Sequence, residues 1–488
     1  MDIPDNLTAN LYLLWPEFLV AGLAFIVLTV DFLLPSHRRI TLPTISIAGL
    51  VGILAFSLIL LGNKEATPLY QGILLIDRFS LLFTVFFLIL GILIVLASVD
   101  YVNKYLHHPG EYYGILLFSL LGMMLMAASS ELLTAYISLE LLSFGLYIMV
   151  AMGGRDDPKS NEAGVKYILL GAFSSALLLY GISLVYGVLG TTTFAGISER
   201  LVGPGAATPD LILGLALIMA GLGFKVAAVP FHMWVPDVYE GAPLPVTAYL
   251  AVGSKAAAFA LVLRLFSTAF MQSIGEWQLL IAILAAVTMT LGNVVALAQE
   301  NIKRLLAYSS IGQVGYLLVG IAALSAASSN AIILHLVGYG LANLAAFVAI
   351  ISFYNITGKD NVRDFAGLAD RNPFIAMAMT VSLFSLAGLP FFAGFITKFY
   401  LFIAAAEQDL LWLAGIAMVN SLISLYYYLL IIRQMYIQKP EDNSRIPLSR
   451  VTGSLLGTLV VGTIAVGIYP DPLLDLIETA TAAILPIN

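Results

Sequence analysis

The chain has 488 residues, of which 60% are hydrophobic and 10% charged, with a mean hydropathy of +0.97 and a net charge of −7. Soluble domains carry about 25% charged residues, so a water-soluble enzyme is excluded, as is disorder, which needs the opposite balance. The acidic balance without a basic stripe argues against nucleic acid, and the lack of cysteine removes disulfides, thiolate-held iron–sulfur clusters and cysteine zinc sites.

A helix crosses a bilayer with about 20 apolar residues. Roughly fourteen such segments are predicted, at 11–34, 41–62, 77–100, 112–129, 131–152, 162–189, 210–230, 244–267, 277–299, 302–324, 330–353, 373–405, 409–436 and 452–469. A membrane β-barrel would instead show short strands of alternating polarity, and none is seen. The expected fold is an all-α polytopic membrane protein. Asp2 and Asp5 precede the first segment where a cleaved signal peptide would carry basic residues. The longest polar stretches, 190–209, 354–372 and 437–451, read as connecting loops punctuated by Gly and Pro.

Lys and Arg set orientation. With an outer N-terminus and alternating spans, the inner side receives Arg38, Arg39, Lys104, Arg155, Lys159, Lys166, Lys303, Arg304, Lys359, Arg363, Arg371, Arg433, Lys439, Arg445 and Arg450. The outer side receives only Lys64 and Arg200. Both termini are therefore expected outside.

A charge at mid-membrane costs about 2.5–3.5 kcal/mol on insertion scales. Arg78 and Arg264 lie near span ends, from which they can snorkel to the headgroups. Glu17 and Asp31, near the ends of the first span, are open to either reading. Four residues are not explained that way. Glu140 sits in SLELLSFGLY, about 13 Å from the nearer span end at 1.5 Å per residue. Lys225 sits in LGFKVAAVPFH, Lys255 in AVGSKAAAFAL and Lys398 in LPFFAGFITKFYLF. A buried Glu140–Lys225 ion pair locking helices together is the bland alternative, but three amines against one carboxylate do not balance. Burial disfavours the charged form of either group and an opposite charge favours it. Small changes in separation or hydration would then move a proton along the row.

Proline breaks a helix, and such breaks persist in a membrane only where protein or a hydrated cavity satisfies the backbone. GFKVAAVPFH at 223–232 and LAGLPFFAG at 386–394 are two such sites, each near a Lys. Two broken helices with ionisable groups suggest two related halves. His335, in ILHLVGYG, is either a packing residue or a relay between Lys255 and Lys398, with Tyr339 assisting. His107 and His108 read as solvated. His232, in PFHMWVPDVYEGAPLP, lies where the chain would shape an inner proton entrance or meet a neighbour. Tyr426, Tyr427 and Tyr428 read as packing residues, and the tail after Pro470, with Asp471, Asp475 and Glu478, as an interfacial helix against a partner.

The stretch EYYGILLFSLLGMMLMAASSELLTAYISLELLSFGLYIMVAM at 111–152 resembles the N subunits of bacterial complex I, and so do 161–187, 223–259, QENIKRLLAYSSIGQVGYLL at 299–318 and SLAGLPFFAGFITKFYLF at 385–402. The LEL and PFHMW–PDVYEGAP blocks are shared in kind with the wider antiporter-like family. That family includes the L and M subunits and sodium/proton antiporter subunits. The EYYGILLFSLLGMMLM block and Lys398 point to the N type. The resemblance implies about fourteen helices with two inverted five-helix repeats containing broken helices. Its expected divisions are a three-helix segment at 1–110, half-channel bundles at 111–270 and 271–440, and a C-terminal helix and tail at 441–488. It implies Glu140 and Lys225 as a switching pair, Lys255 as central relay and Lys398 as terminal residue. The activity implied is proton translocation in a respiratory NADH–quinone oxidoreductase of the cell membrane, with no cofactor or metal bound by this chain. NADH, flavin, iron–sulfur clusters and quinone would sit in partner subunits. K-type and M-type membrane subunits would be its neighbours. A freestanding or Mrp-type cation/proton antiporter, and a purely structural spacer, are the rival readings.

Overall fold

The computed structural model describes residues 10–33, 41–62, 66–153, 157–202, 208–440, 442 and 444–484, and it is 84% helical. In chain order the elements begin with α1 (Trp15–Leu33), α2 (Thr41–Leu61), β1 (Thr67–Leu69), β2 (Leu74–Ile76), α3 (Arg78–Tyr105), α4 (Pro109–Ala128) and α5 (Leu132–Val150). They continue with α6 (Pro158–Leu189), α7 (Phe194–Arg200), α8 (Pro209–Val226), α9 (Trp234–Gly241), α10 (Leu244–Tyr249), α11 (Lys255–Thr268) and α12 (Ile274–Ala296). The last are α13 (Ile302–Ala322), α14 (Ala326–Thr357), α15 (Leu368–Arg371), α16 (Pro373–Ala387), α17 (Ala393–Glu407), α18 (Leu411–Tyr436), α19 (Arg450–Ile468) and α20 (Asp471–Thr481). Among the described residues 13 helical segments are long and apolar enough to cross a membrane, and α16 with α17 supplies a further, interrupted one. Asp2 and Asp5, which bear on the signal-peptide reading, and Arg38, Arg39, Lys64 and Arg155, on which the expected orientation partly rests, lie outside the described residues.

Local sequence chemistry sets the helix ends. The Asp77 side chain accepts the Ser80 N–H at 2.8 Å and caps α3. Thr208 and Asn372 cap α8 and α16, each followed by a proline whose missing N–H costs nothing at that position. Both predicted breaks are present and have the same form. Helix α8 stops at Ala227, with φ +70, and α16 stops at Gly388, with φ +87. In each the next residue turns back onto the helix: Ala228 N–H donates to Gly223 O at 2.8 Å, and Leu389 N–H to Phe384 O at 3.0 Å. Glycine meets the left-handed geometry without strain at 388. A Cβ there would also meet the Lys398 Cδ at 3.3 Å, so the small residue makes room for the amine.

Five apolar helical segments from α4 to α11 are followed by five more from α12 to α18, the fourth of these being the interrupted α16 with α17. Most residues of the spans Leu244–Thr268, Ile302–Ala322 and Ala326–Thr357 are buried within the protein, whereas in α2, α6, α18 and α19 only a minority are. Helices α10, α11, α13 and α14 therefore form the buried spine of the chain. A π-helical turn at Leu250–Ser254 joins α10 to α11 just before Lys255.

The structure corrects three expectations. A small antiparallel hairpin, Thr67 opposite Ile76, stands where no strand was expected. Arg264 does not snorkel: it is 1% exposed and grips Asp77 with two hydrogen bonds, of 3.0 and 2.7 Å. The tail helix α20 buries Leu474, Ile477 and Ala480 against α3 and α14 of this same chain, so that face is already occupied.

Candidate functional site

Glu140 and Ser143 lie one turn apart on one face of α5. Ser175, from α6, donates to the Glu140 carboxylate. Lys225, in the last turn of α8, donates its amine to Ser143 Oγ at 2.8 Å. The two expected partners thus sit on different helices, each bonded to its own serine, and no direct ion pair forms between them. Glu140 is only partly enclosed, while Lys225 is 2% exposed.

Lys255 is 1% exposed and donates to Ser310 of α13. Ser310 also bonds the Tyr339 hydroxyl at 2.8 Å, and Tyr239 of α9 approaches it at 3.4 Å. Tyr339 donates onward to the Ala251 carbonyl at 3.1 Å, inside the π-helical turn. The tyrosine therefore bonds the backbone within that turn.

Lys398, 3% exposed, is held by the broken helix itself. Its amine donates to Leu386 O at 2.9 Å, Ala387 O at 3.3 Å and Ser421 Oγ at 3.2 Å, and lies 4.5 Å from the centre of the Tyr316 ring. The carbonyls left over at the C-terminus of α16 are its ligands, the negative end of a helix facing a cation. His335 bonds Thr397 Oγ1 through Nδ1 at 2.8 Å, and its Nε2 has no protein partner. Glu140, Lys225, Lys255 and Lys398 thus lie on α5, α8, α11 and α17, the three lysines bound to hydroxyl and carbonyl oxygens. Among the described residues the ion pairs do not include these lysines.

Sequence reasoning missed an uncharged cluster beside this row. Asn293 of α12 takes a hydrogen bond from Tyr427 at 2.9 Å and gives one to Tyr316 at 3.3 Å. Asn420 lies 3.4 Å from Asn293 and donates to Thr290 at 3.1 Å. Ser309 pairs with Tyr428. Asparagine within an apolar span was the one available signal, since a buried amide needs partners.

At the end of the bundle that carries α9, this short helix is clamped between α6 and α13. Asp237 takes Lys166 of α6 at 2.7 Å and Arg304 of α13 at 2.8 Å; Glu240 takes Lys159 at 2.9 Å and Arg304 at 3.0 Å. A polar cavity of about 310 Å3 beside the clamp is lined by Asp157, Lys159, Glu240, Lys303 and Asp360. His232, half-buried nearby in the chain, keeps its Nδ1 without a protein partner. His108 pairs with Glu111 at the surface, 3.6 Å away. Burial pushes the Asp237 carboxyl up, but the bonds from Lys166 and Arg304 outweigh it and hold it below the ordinary 3.8. Glu240 is held below 4.5 in the same way by Lys159 and Arg304. A depressed carboxylate contributes stability that is complete above its unfolded value and is lost as pH falls through the folded one. Protection of the 234–241 amides against hydrogen exchange, corrected for intrinsic rates, is therefore expected to be level from neutral pH to about 5 and to fall below about 4. The Asp237→Asn variant should be less protected at neutral pH and flatter with acid; an equally steep acid response in it would show that other groups hold α9.

The family described as NADH:quinone oxidoreductase/Mrp antiporter, transmembrane, matches residues 129–424. A relative from Moorella thermoacetica, NADH-quinone oxidoreductase subunit N, is 46% identical over 95% of this chain and 97% of its own. Among solved structures, a chain of respiratory complex I from Thermus thermophilus is 30% identical with a TM-score of 0.80, over 95% of this chain and 100% of that one. A chain of the Mrp complex from Dietzia sp. has a TM-score of 0.87 at 22% identity, over 98% of each chain, which speaks to the fold alone.

Proposed function

The chain belongs to the NADH:quinone oxidoreductase/Mrp antiporter transmembrane family, among the N subunits of NADH–quinone oxidoreductase, and on that premise we propose that it carries protons across the membrane arm of a respiratory complex. Both termini would face the outer side, with the α9 clamp inside. One observation carries the reading: three lysines, each at most 3% exposed, are held by neutral oxygens inside apolar spans. An amine so placed gains or loses its proton with small changes in hydration or in the charge nearby. No metal or cofactor is needed for that step.

A change in the distance between Glu140 and Lys225 alters how firmly Lys225 holds its proton. Ser143 and Ser175 are placed to transmit such a change, because each binds one partner and sits on a facing helix. Lys255 takes the proton on, and Lys398 releases it toward the outer side. The polar cavity at Lys303 and Asp360 opens on the inner side and supports an entrance there. Redox groups would lie in partner subunits, with K-type and M-type chains as the membrane neighbours.

The test is purification of the tagged chain from its own membranes, followed by reconstitution in vesicles. Co-purification with a redox arm and further hydrophobic subunits, with electron transfer driving acidification, is the expected result. A single chain that exchanges sodium for protons without electron transfer would replace this reading with the antiporter one. A complex that pumps equally well without any of the four ionisable groups would make the chain a spacer.

A further inference from the structure

Polar groups leave Lys255 in two directions, and they differ in how far they run. Along α14 they come in separate pieces. Tyr339 ends on the Ala251 carbonyl, His335 turns to Thr397, and the buried Asn343 amide has no protein partner at either atom. Along α13 and α18 they reach further, as a row of short hydrogen-bonded pieces with narrow gaps between them. Ser309, next to the Ser310 that holds Lys255, pairs with the Tyr428 hydroxyl. The Tyr428 and Tyr427 rings lie 4.4 Å apart. Tyr427 donates to Asn293 at 2.9 Å, Asn293 to Tyr316 at 3.3 Å, and the Tyr316 ring lies against the Lys398 amine at 4.5 Å. Ser309, Asn293, Tyr316, Tyr427 and Tyr428 are each no more than 1% exposed, and none of them leaves a side-chain polar atom unpartnered.

Resting on the proton-transfer reading above, we infer that the proton moves from Lys255 to Lys398 along the tyrosine and asparagine row of α13, α12 and α18, and not through His335. Each tyrosine hydroxyl accepts one proton and gives up its own, so it is unchanged after the passage. Asn293 keeps its protons and fixes the two hydroxyls beside it. A water from Ser310 to Ser309, one between the Tyr427 and Tyr316 hydroxyls on either side of Asn293, and one from the Tyr316 hydroxyl to the Lys398 amine, which itself meets only the face of that ring, would complete the line, since a bridging water is nearly as good as a direct bond. Lys255 ends as the free amine and Lys398 as the ammonium. His335 is a positioning residue: its bond to Thr397 fixes the helix on which Lys398 is the next residue.

The test uses the assembled complex in vesicles, with Tyr428→Phe, Tyr316→Phe and His335→Gln compared with Lys398→Ala. Both phenylalanine variants are expected to lose at least fivefold in proton flux coupled to electron transfer. Their turnover should slow more in D2O than the parent's, which a merely structural loss would not produce. His335→Gln, able to keep a bond to Thr397, is expected to stay within twofold. Should Tyr428→Phe assemble poorly, Ser309→Ala cuts the same step from the other side. Parental flux in both phenylalanine variants, or collapse in His335→Gln alone, overturns the route. If Lys398→Ala also pumps like the parent, the proton-transfer reading falls and the route with it; if Lys398→Ala fails while the phenylalanine variants do not, only the route falls.

Discussion

Lys225→Ala is expected to cut proton pumping in the assembled complex by about two orders of magnitude, the lower end of what a placed proton-transfer group contributes. The amine is enclosed at the end of α8 and bonded to Ser143, so alanine opens the row between Glu140 and Lys255. The more decisive variant is Lys225→Arg. A guanidinium keeps the charge and the hydrogen-bonding reach but does not give up its proton at any pH the protein survives. If Lys225 conducts, arginine fails as alanine does. If Lys225 only locks helices electrostatically, arginine pumps and alanine does not assemble. Acidification of vesicles per electron transferred separates these outcomes, and parental pumping by both variants removes Lys225 from the path. Glu140→Gln completes the set: it should impair coupling while leaving assembly intact, because Ser175 can donate to an amide oxygen as it does to a carboxylate. Loss of assembly in that variant would favour the locking role.

The spans were legible because bilayer thickness imposes a length and a polarity that no tertiary contact overrides. Both helix breaks were legible from the prolines that follow them. The hairpin of β1 and β2 was not, because three-residue strands carry too little alternation to stand out. Nor was the π-helical turn: LAVGS has no feature that favours it over a regular helix. Depth along a span can be counted from sequence, and that brought out Glu140 and the three lysines. Partnership cannot be counted, and that is why Arg264 was misjudged. Its position close to a span end is compatible with snorkelling, but Asp77 meets it from far away in the chain. The asparagine and tyrosine cluster escaped for a related reason: uncharged polar groups lower the hydropathy of a span only slightly, and their significance lies in their neighbours.

Arg264→Met is expected to lower the stability of the subunit by about 3–5 kcal/mol, the usual cost of stripping one partner from a buried pair. Asp77 would remain enclosed, still capping α3 through Ser80 but with its charge uncompensated. The present pair is bidentate, and the guanidinium also lies 4.8 Å from the centre of the Phe79 ring, so charge, geometry and packing are lost together. The double variant Asp77→Ser with Arg264→Met tests which of these matters. Serine is nearly as good a helix cap as aspartate, and methionine fills much of the space left by the arginine stem, so most of the loss should return, to within about 1–2 kcal/mol of the parent. The measurement is the midpoint of thermal unfolding of the purified complex in one detergent, alongside the yield of assembled complex. A double variant no better than Arg264→Met alone would locate the loss in the guanidinium's packing and not in the orphaned carboxylate. The functional consequence follows from position. Arg264 lies on the same helix as Lys255, beyond the π-helical turn, and Asp77 fixes the far end of that helix to the start of α3. A helix pinned at one end and loosened at the other holds its lysine in register while leaving the turn free to adjust. Partial assembly of Arg264→Met should therefore be accompanied by weaker coupling in whatever complex does form, and recovery of both in the double variant would tie the register of Lys255 to this pair.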